Sequence, residues 1–556
     1  MINLIGKLPL NIVVIFIMFT ATSCEDKSML ADKIITNAVI WTGNENQPSA
    51  EAFAVIGDSI VAIGSKSAIA AYKGEHTEVI DVKGKFITPG FIDSHVHLLM
   101  GGNALLSVEL RDASSPEEFI NRIVNHAKTT QPGAWILEGN WDHTLWGGEL
   151  PNKAWIDDQT MNNPVALYRL DGHMILANSA ALKIAGIDKN TPNVEGGEIV
   201  KDEKGNLTGI LKGHAMLPVL EAIPIPSELE KIKSIKAAQK YLLSNGVTSV
   251  HDVDSLGTYS AAKKIMDKNE LQIRIYSLNP LNHWDKRESV EALNNKWVKT
   301  GGLKGFVDGS LGSHTAAFEN AYTDKPEDNG YFINDEEQLY SWASTADKAN
   351  LQITIHGIGD RALNTLLNIY ERIIKENGQK DRRFRIEHAQ HLKSEDIKRF
   401  SELDIIASMQ PYHAIDDGRW AEELIGPERI KTTYAFKSLM NTGAIVTFGS
   451  DWPVAPATPL DGIYAAVTRR TLDNKNPYGW VPEQKITVQQ ALTAYTKNAA
   501  YASFDENIKG TLEVGKLADF VIFNDDITKV DPVLIHKIKI LSTYVGGKKV
   551  YENNNE

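Results

Sequence analysis

Alternating apolar and polar positions predict short strands at both ends of the chain. Gly57-Asp58 separates two of these segments and is typical of a hairpin turn. The strand-like segments are Lys33–Ile40, Ala52–Ile56, Ser59–Ile63, Ala518–Phe523 and Ile540–Val545. We therefore expect residues 33–88 and 505–553 to form one small composite β-domain.

The middle of the chain alternates apolar runs of strand length with amphipathic helical stretches such as Glu228–Ser244 and Glu336–Ala349. The strand-like runs are Phe91–His95, Val247–His251, Gln272–Ser277, Gly302–Val307, Gln352–His356, Phe384–His388, Asp404–Met409 and Ala444–Gly449. Eight β/α repeats predict an α/β fold, a distorted TIM (β/α)8 barrel over residues 89–504. Residues 102–225 fit no repeat, so we interpret them as an insertion after strand one that covers the barrel mouth.

A separate apolar run, Leu8–Phe19, follows Lys7 near the N-terminus. It is too short to span a bilayer and suits the hydrophobic part of a signal peptide. Small residues then lead to Cys24, which resembles the lipobox of bacterial lipoproteins, with Ala21 where Leu is usual. We expect residues 1–24 to be a signal peptide and Cys24 to be lipidated, which anchors an exported protein to the membrane on the periplasmic or cell-surface side. A plain cleaved signal peptide is the alternative.

Composition narrows the class of protein and of partner. The 556 residues are 42% hydrophobic and 23% charged, which is ordinary for a globular protein. The net charge of −13 argues against a nucleic-acid partner, because phosphate binding needs a basic surface. The single cysteine excludes internal disulfides and cysteine-cluster zinc sites. The oligomeric state stays open, with a homodimer as one choice.

Histidine, lysine and carboxylate side chains lie on or after the predicted barrel strands, toward the ends where the active site of a TIM barrel lies. They are His95 and His97 after strand one, Lys304 on strand four, His356 after strand five, His388 after strand six and Asp451 after strand eight. A lone histidine at a strand end is usually a hydrogen-bonded surface residue. Taken together, these side chains predict a metal site, because imidazole and carboxylate are ligands of zinc-like ions.

Long motifs surround these residues. They are Phe86–His97, Lys304–Ser313, His356–Ala362, Arg385–Gln390 and Gly449–Pro453. In their order and spacing they resemble the amidohydrolase superfamily, in the branch called amidohydrolase 3, which includes N-substituted formamide deformylase. The resemblance covers nearly the whole chain after the signal segment, and it is far more specific for the superfamily than for a substrate.

The resemblance implies a role for each residue. His95 and His97 would bind the more buried of two divalent metals, expected to be zinc or a similar ion, and His356 and His388 would bind the second. Lys304 would be carboxylated to bridge the metals, whereas an unmodified Lys304 amine would go with a single metal. Asp451 would bind metal and accept a proton from water. The implied reaction is hydrolysis of a non-peptide C–N bond, such as an amide or formamide.

Further candidates would contact the small-molecule substrate. His173 closes a motif that begins at Arg169, and Tyr412 and His413 follow strand seven. His314 occupies a position where many relatives of this branch carry Arg. For the tryptophans of the predicted insertion, Trp141 and Trp146, packing in a hydrophobic core is the preferred interpretation.

Three other functions stay open beside the amide hydrolase. One is a deaminase of a small cyclic or aromatic substrate that uses a single metal. Another is a solute-binding lipoprotein that has lost catalysis, although Asp451 argues against it because binding alone needs no proton acceptor. The third, an amidohydrolase-like regulator of exported enzymes, has no specific support in the sequence.

Overall fold

The computed structural model describes residues 30–169, 174–194, 196–253, 257–289 and 294–554. The strands are β1 (Lys33–Thr36), β2 (Val39–Trp41), β3 (Ser49–Ala50), β4 (Ala52–Ile56), β5 (Ser59–Gly64), β6 (Glu78–Asp81), β7 (Phe86–Pro89), β8 (Phe91–Val96), β9 (Ala166–Tyr168), β10 (Met174–Ala177), β11 (Gly197–Lys201), β12 (Leu207–Gly213), β13 (Val247–Val253), β14 (Arg274–Pro280), β15 (Val298–Phe306), β16 (Gln352–Gly357), β17 (Arg385–His388), β18 (Ile406–Met409), β19 (Val446–Phe448), β20 (Phe520–Phe523), β21 (Ile540–Val545) and β22 (Lys548–Glu552). The helices are α1 (Lys66–Ile69), α2 (Leu98–Leu106), α3 (Pro116–Thr129), α4 (Ser179–Ile184), α5 (Leu217–Ala222), α6 (Glu228–Ser244), α7 (Thr258–Asp267), α8 (Glu336–Lys348), α9 (Asp360–Asn377), α10 (Ile397–Glu402), α11 (Pro411–Asp417), α12 (Ala421–Arg429), α13 (Phe436–Asn441), α14 (Pro459–Thr468), α15 (Val488–Tyr495) and α16 (Lys497–Ala502).

Eight parallel strands form the central sheet in the order β8-β13-β14-β15-β16-β17-β18-β19. The sequence therefore predicted the barrel correctly, with strand ends displaced by a few residues. Apolar side chains from the strands and the surrounding helices share one large core. Because all eight strands run the same way, their carboxyl ends meet at one rim.

Hydrogen bonds between the two outer strands nearly close this sheet into a barrel. The backbone N–H of Asp451 donates to the carbonyl of His95 at 2.7 Å, and that of His97 donates to Trp452 at 2.8 Å. Gly449 allows this approach, because a Cβ there would lie only 2.5 Å from the His95 nitrogen. The closure places the loop after β19 directly beside the His95–His97 segment.

The segment between β8 and β13 forms an insertion after the first barrel strand. It carries its own antiparallel sheet in the order β11-β12-β10-β9. Phe119 of α3 packs against the buried Trp141, whose indole N–H donates to the Leu167 carbonyl at 2.8 Å. Helix α6 then returns the chain to the barrel; Ser227 and Glu230 form a reciprocal cap at its start.

Strands from both ends of the chain form the small β-domain. β7 pairs antiparallel with β20 within the sheet β22-β21-β20-β7-β2-β3, and a second sheet has the order β5-β4-β1-β6. Arg274 of the barrel ties the two parts together by donating to both carboxylate oxygens of Asp519, at 2.6 and 2.8 Å. Among the described residues, no helix has both the length and the apolar character needed to cross a bilayer.

Candidate metal centre

Two predicted histidines, His95 and His97, lie close to one carboxylate oxygen of the predicted Asp451 at the barrel rim. The Nε2 atoms of His95 and His97 lie 3.4 and 3.2 Å from Oδ1 of Asp451. His95 is almost fully buried, and its Nε2 has no hydrogen-bond partner among the described residues. A buried nitrogen lone pair without a donor, next to a carboxylate and a second imidazole, fits a metal ion with nitrogen and oxygen ligands.

A second group shares the same aspartate. The ligand atoms of His388, His413 and Asp451 lie within 4.8 Å of one another. The rings of His388 and His413 are nearly parallel, with centroids 6.5 Å apart. His413, predicted to contact substrate, thus lies among the potential metal ligands.

The backbone is unusual at both of the strand ends that supply these groups. His388 has φ 72° and Asp451 has φ 62°, in the left-handed region that few residues other than glycine adopt. In regular β17, Glu387 and His388 would point to opposite faces. The left-handed turn at His388 instead lets both side chains face the rim, one behind the other.

Glu387 orients His95 from below. Its Oε2 lies 2.5 Å from Nδ1 of His95, while its Oε1 accepts from the Arg385 Nε at 2.9 Å and from the Thr354 hydroxyl. A proton on Nδ1 that is held by the carboxylate leaves Nε2 as the lone-pair nitrogen. Glu387 therefore selects the His95 tautomer that can bind a metal.

Arg385 holds Glu387 in place from inside the barrel. It is fully buried and donates to Nδ1 of His251 at 2.8 Å, to the Ser94 carbonyl at 2.7 Å and to Ser408 Oγ at 3.0 Å. These bonds join four barrel strands beneath the rim. They also place His251, a residue at the end of the second barrel strand, in the interior rather than among the rim ligands.

His388 is oriented in the same way by a neutral partner. Its Nδ1 lies 2.8 Å from the Gln410 side-chain oxygen, which leaves Nε2 free to face the rim. Asp93 fixes the backbone beneath the rim by accepting from the N–H groups of His95, at 3.2 Å, and Ser450, at 2.9 Å. Burial raises the pKa of Asp93 to about 7.

His356 and Lys304 adjoin these groups without joining either of them. The His356 ring lies 4.5 Å from that of His388, but its Nε2 is 2.9 Å from the Gly309 carbonyl, the acceptor that it faces. Nζ of the buried Lys304 lies 4.3 Å from the centre of the Phe306 ring, and no ion pair reaches it from the described residues. Burial lowers the pKa of Lys304 to about 8.

The electrostatics favour an ionised Asp451 beside a neutral His95 imidazole. Burial opposes ionisation of Asp451, but His95 and His97 nevertheless keep the pKa of Asp451 well below its usual value. Burial, reinforced by the neighbouring Lys304 ammonium, lowers the pKa of His95. Neutral imidazole and carboxylate are the protonation states that bind a metal.

The family of this protein follows from its similarity to known proteins. A family model described as the amidohydrolase family matches residues 78–551. The chain belongs to the amidohydrolase family. The superfamily expected from the rim motifs is thereby confirmed.

Full-length relatives and a solved structure agree with this assignment. Protein LONG AFTER FAR-RED 3 of Arabidopsis thaliana is 39% identical to this amidohydrolase, over 94% of this chain and 92% of its own. N-substituted formamide deformylase of Arthrobacter pascens is 27% identical, over 94% and 99%. The crystal structure of an uncharacterized metal-dependent hydrolase from Pyrococcus horikoshii OT3 is 28% identical, with a TM-score of 0.77 over 90% of this chain and 99% of that one.

The remaining predicted residues of this amidohydrolase lie in different settings. Tyr412 is half-buried at the start of α11, next to His413. His314 faces Asp324, with its Nε2 2.9 Å from Oδ2, and its ring contacts Tyr322. His173 and Cys24 lie outside the described residues, so substrate contact by the first and lipidation of the second stay predictions.

The sequence analysis missed the residues that orient the ligands. Arg385 and Glu387 are charged residues two positions apart on one face of a predicted barrel strand, which was the available signal. Gln410 offered a weaker signal, because an amide after a strand is common in loops. What could not be read from the sequence is that Glu387 meets His95, which is 292 positions away.

Proposed function

We propose that this amidohydrolase hydrolyses a non-peptide C–N bond of the amide or formamide type in a metal-dependent reaction. The observation that carries the proposal is the convergence of His95 and His97 on one oxygen of Asp451, at 3.4 and 3.2 Å. Binding alone needs no ionised carboxylate at this position. Hydrolysis needs one, because the attacking water must lose a proton.

Divalent metal, in the proposal two zinc-type ions, would be held by His95, His97, His388 and Asp451. His356 and a carboxylated Lys304 would complete the set. When bound, the metal supplies Lewis acidity, which makes water more acidic and polarises the substrate carbonyl. The burial of Lys304 supports the modification, because a carbamate would replace the buried ammonium with a group that cations attract.

The chain's own residues then carry the proton. Asp451 Oδ accepts a proton from the attacking water while the water oxygen forms a bond to the carbonyl carbon. The same proton passes from Asp451 to the leaving nitrogen as the C–N bond breaks. The products are a carboxylic acid and an amine, and Asp451 returns to its ionised form.

Support for a C–N bond comes from the relatives and from the site. The name of the Arthrobacter pascens relative says that it removes the formyl group from N-substituted formamides. The rim also places the ionised carboxylate of Asp451 beside His95 and His97, and such a group can take a proton from water and pass it to a departing amine.

A mononuclear deaminase is the second candidate, and one observation favours it. His356 turns Nε2 to the Gly309 carbonyl and Lys304 lies over Phe306, so neither residue joins the group of His95, His97 and Asp451. Metal stoichiometry separates the two candidates. About two equivalents that depend on bicarbonate favour the amide hydrolase, and one equivalent without that dependence favours the deaminase.

The test of function is a screen of N-formyl, N-acyl and cyclic amides against metal-loaded protein, with amine release as the readout. Asp451→Asn is the blank, and Asp525→Asn, an exposed aspartate of the β-domain, is the matched control. Turnover by the wild type and by Asp525→Asn, but not by Asp451→Asn, supports the proposal. Equal rates in all three proteins would contradict it.

We further propose that the protein is exported and tethered by a lipid on Cys24. The support is the apolar run Leu8–Phe19 followed by the sole cysteine of the chain. Replacement by Cys24→Ser should release the protein from the membrane fraction. A variant that stays with the membrane would contradict the lipid anchor.

A further inference from the structure

A cavity of about 330 Å³ lies between the insertion and the barrel helices α2 and α6. Its walls are largely apolar, formed by Leu106 of α2, by Trp135 and Leu137 of the insertion, and by Ile223 and Pro224 before α6. Leu106 stands nine positions beyond His97 on one helix, which is about 13 Å of helical rise. The cavity is therefore a separate chamber beside the metal rim.

Glu138 brings a carboxylate into this apolar chamber without a partner. Among the described residues, no hydrogen bond or ion pair reaches the half-buried Glu138 side chain. Burial raises its pKa, and its charge in turn adds to the effect of burial in raising the pKa of Tyr168. A half-buried carboxylate without a protein partner costs free energy, so a cation that enters the cavity would stabilise Glu138.

The other titratable groups that line the cavity do not neutralise Glu138. Glu230 is engaged with Ser227 in the cap of α6, and Lys233 is exposed at the lip. Burial lowers the pKa of His126, which keeps that imidazole neutral at neutral pH. Of the two carboxylates that line the cavity, Glu230 is therefore held in the helix cap, and Glu138 alone has no partner among the described residues.

The backbone aims Glu138 at the cavity in a strained conformation. Glu138 has φ 65°, and Gly139 and Asn140 continue in the left-handed region at 96° and 54°. The Glu138 carbonyl accepts from the N–H of Tyr168 at 2.6 Å, and the Gly139 carbonyl accepts from that of Leu110 at 2.9 Å. Glycine and asparagine tolerate this region, but glutamate rarely adopts it. Strain held by flanking bonds is typical of functional positions.

We propose that this cavity binds a small organic ammonium ion with an apolar body, and that Glu138 pairs with its charge. The apolar walls would take an aromatic or branched aliphatic group, and the volume suits a compact amine rather than a polymer. The site is distinct from the metal centre and does not depend on the proposed hydrolysis. The amine could be the one released from an amide substrate or a separate ligand.

Calorimetry with three probes of similar shape tests the site directly. Phenethylamine, 2-phenylethanol and 3-phenylpropanoate are titrated into the full-length protein at pH 7. We expect saturable binding of the amine, at least tenfold weaker binding of the alcohol, and no binding of the anion. Absence of saturable amine binding, or equal affinity for amine and alcohol, would overturn the proposal.

Variants locate the interaction. Glu138→Gln should weaken amine binding at least tenfold and leave alcohol binding unchanged, because only the charge is removed. Glu230→Gln is the matched control at the lip of the same cavity, where Gln still supports the helix cap. Leu106→Trp, which fills the chamber from α2, should abolish binding of both ligands. Amine binding that survives in Glu138→Gln would contradict the assignment even if every variant folds.

Two further arms separate the sources of the amine. Removal of metal with a chelator should leave calorimetric binding intact, so that failure of the hydrolase proposal does not affect this test; binding lost with the metal would overturn the separate site. Competitive inhibition of amide turnover by phenethylamine that disappears in Glu138→Gln identifies the released amine as the ligand. Binding without inhibition identifies a separate ligand, and both patterns retain the cavity as an ammonium site.

Discussion

Two glutamates, one fully buried in the barrel and one half-buried in the insertion, have opposite surroundings. Glu387 is fully buried and accepts from Arg385, Thr354 and His95, so each of its oxygens has a donor. Glu138 lies against apolar walls with no donor among the described residues. Burial acts against ionisation in both, yet the pKa of Glu387 falls well below its usual value because of Arg385 and His95, whereas that of Glu138 rises.

The difference separates two uses of one side chain. A carboxylate whose partners all belong to the protein holds other groups in position, as Glu387 does for His95. A carboxylate without an internal partner is available to pair with a cationic ligand, as we propose for Glu138. The barrel therefore supplies chemistry on a rigid frame, and the insertion supplies recognition.

The largest expected effect tests the assignment of chemistry to the barrel. Asp451→Asn keeps an oxygen for the metal but cannot accept the proton of water. Turnover should fall by about 10²–10⁴-fold while metal content and folding stay near normal. Paired measurements of metal content by elemental analysis and of amide turnover check this.

His95→Ala is the companion variant, because it removes a ligand and should lower metal content and activity together. If Asp451→Asn keeps most of its turnover, Asp451 is not the proton acceptor. The neighbouring His413 would then be the next residue to test.

The next effect concerns stability. Glu387→Ala leaves the Arg385 charge buried without its carboxylate and should reduce the free energy of unfolding by about 3–5 kcal/mol. Urea denaturation of the metal-free protein measures it. The double variant Arg385→Met with Glu387→Leu should recover part of the loss, because it removes both charges. A double variant less stable than Glu387→Ala would show that the other bonds of Arg385, not the pair, hold the barrel.

The same pair predicts a pH dependence. Because the folded pKa of Glu387 is held below the ordinary 4.5, its contribution to stability is fully present above that pH. The contribution is lost as the pH falls from about 4.5 toward the folded pKa. The stability gap between wild type and Glu387→Ala should therefore narrow in acid.

A smaller effect tests orientation of the ligand rather than stability. In Glu387→Gln one oxygen is left for three donors, Arg385, Thr354 and His95, and the charged Arg385 should take it, which turns the amide N–H toward Nδ1 of His95. His95 would then carry its proton on Nε2, the nitrogen that faces Asp451. Metal affinity, measured by competition with a chelator, should weaken about 10–100-fold. Glu371→Gln, at a partly exposed residue of α9 that pairs with Lys375 and Arg399, is the control, and an unchanged affinity in Glu387→Gln would remove the orienting role.

The barrel itself was predictable, because its signals are local. Each strand has an apolar run bounded by turns, and the histidines and the aspartate at several strand ends together indicate the rim. Helix starts such as Ser227 with Glu230 also follow local rules. The antiparallel sheet of the insertion was not predicted, since its short strands, such as β9 with three residues, carry too little periodicity.

The partners of the site residues were not predictable, because they depend on long-range contacts. The sequence does not show that Arg385 reaches His251 across 134 positions, or that His356 turns to the Gly309 carbonyl. Positive φ at His388 and Asp451 is also invisible, since neither residue is glycine. Nothing in the sequence distinguishes Glu138 from an ordinary polar residue, because only the fold reveals that its surroundings are apolar.

The smallest expected effect tests Glu138 through stability, and it has the opposite sign. Replacement by Asn, which tolerates the left-handed region, should relieve about 1 kcal/mol of backbone strain at every pH. Glu138→Gln keeps the strain and removes only the buried charge. Because the folded pKa of Glu138 is raised above the ordinary 4.5, that charge destabilises the protein above the folded pKa and has no effect below about pH 4. Gln should therefore stabilise the insertion at pH 7 and not in acid, whereas Asn should do so at both.

Unfolding followed by the fluorescence of Trp135, Trp141 and Trp146 reports on this region, with Glu270→Gln on the surface as control. A Gln variant less stable than wild type at pH 7 would mean that Glu138 has an internal partner, and the contrast with Glu387 would fail.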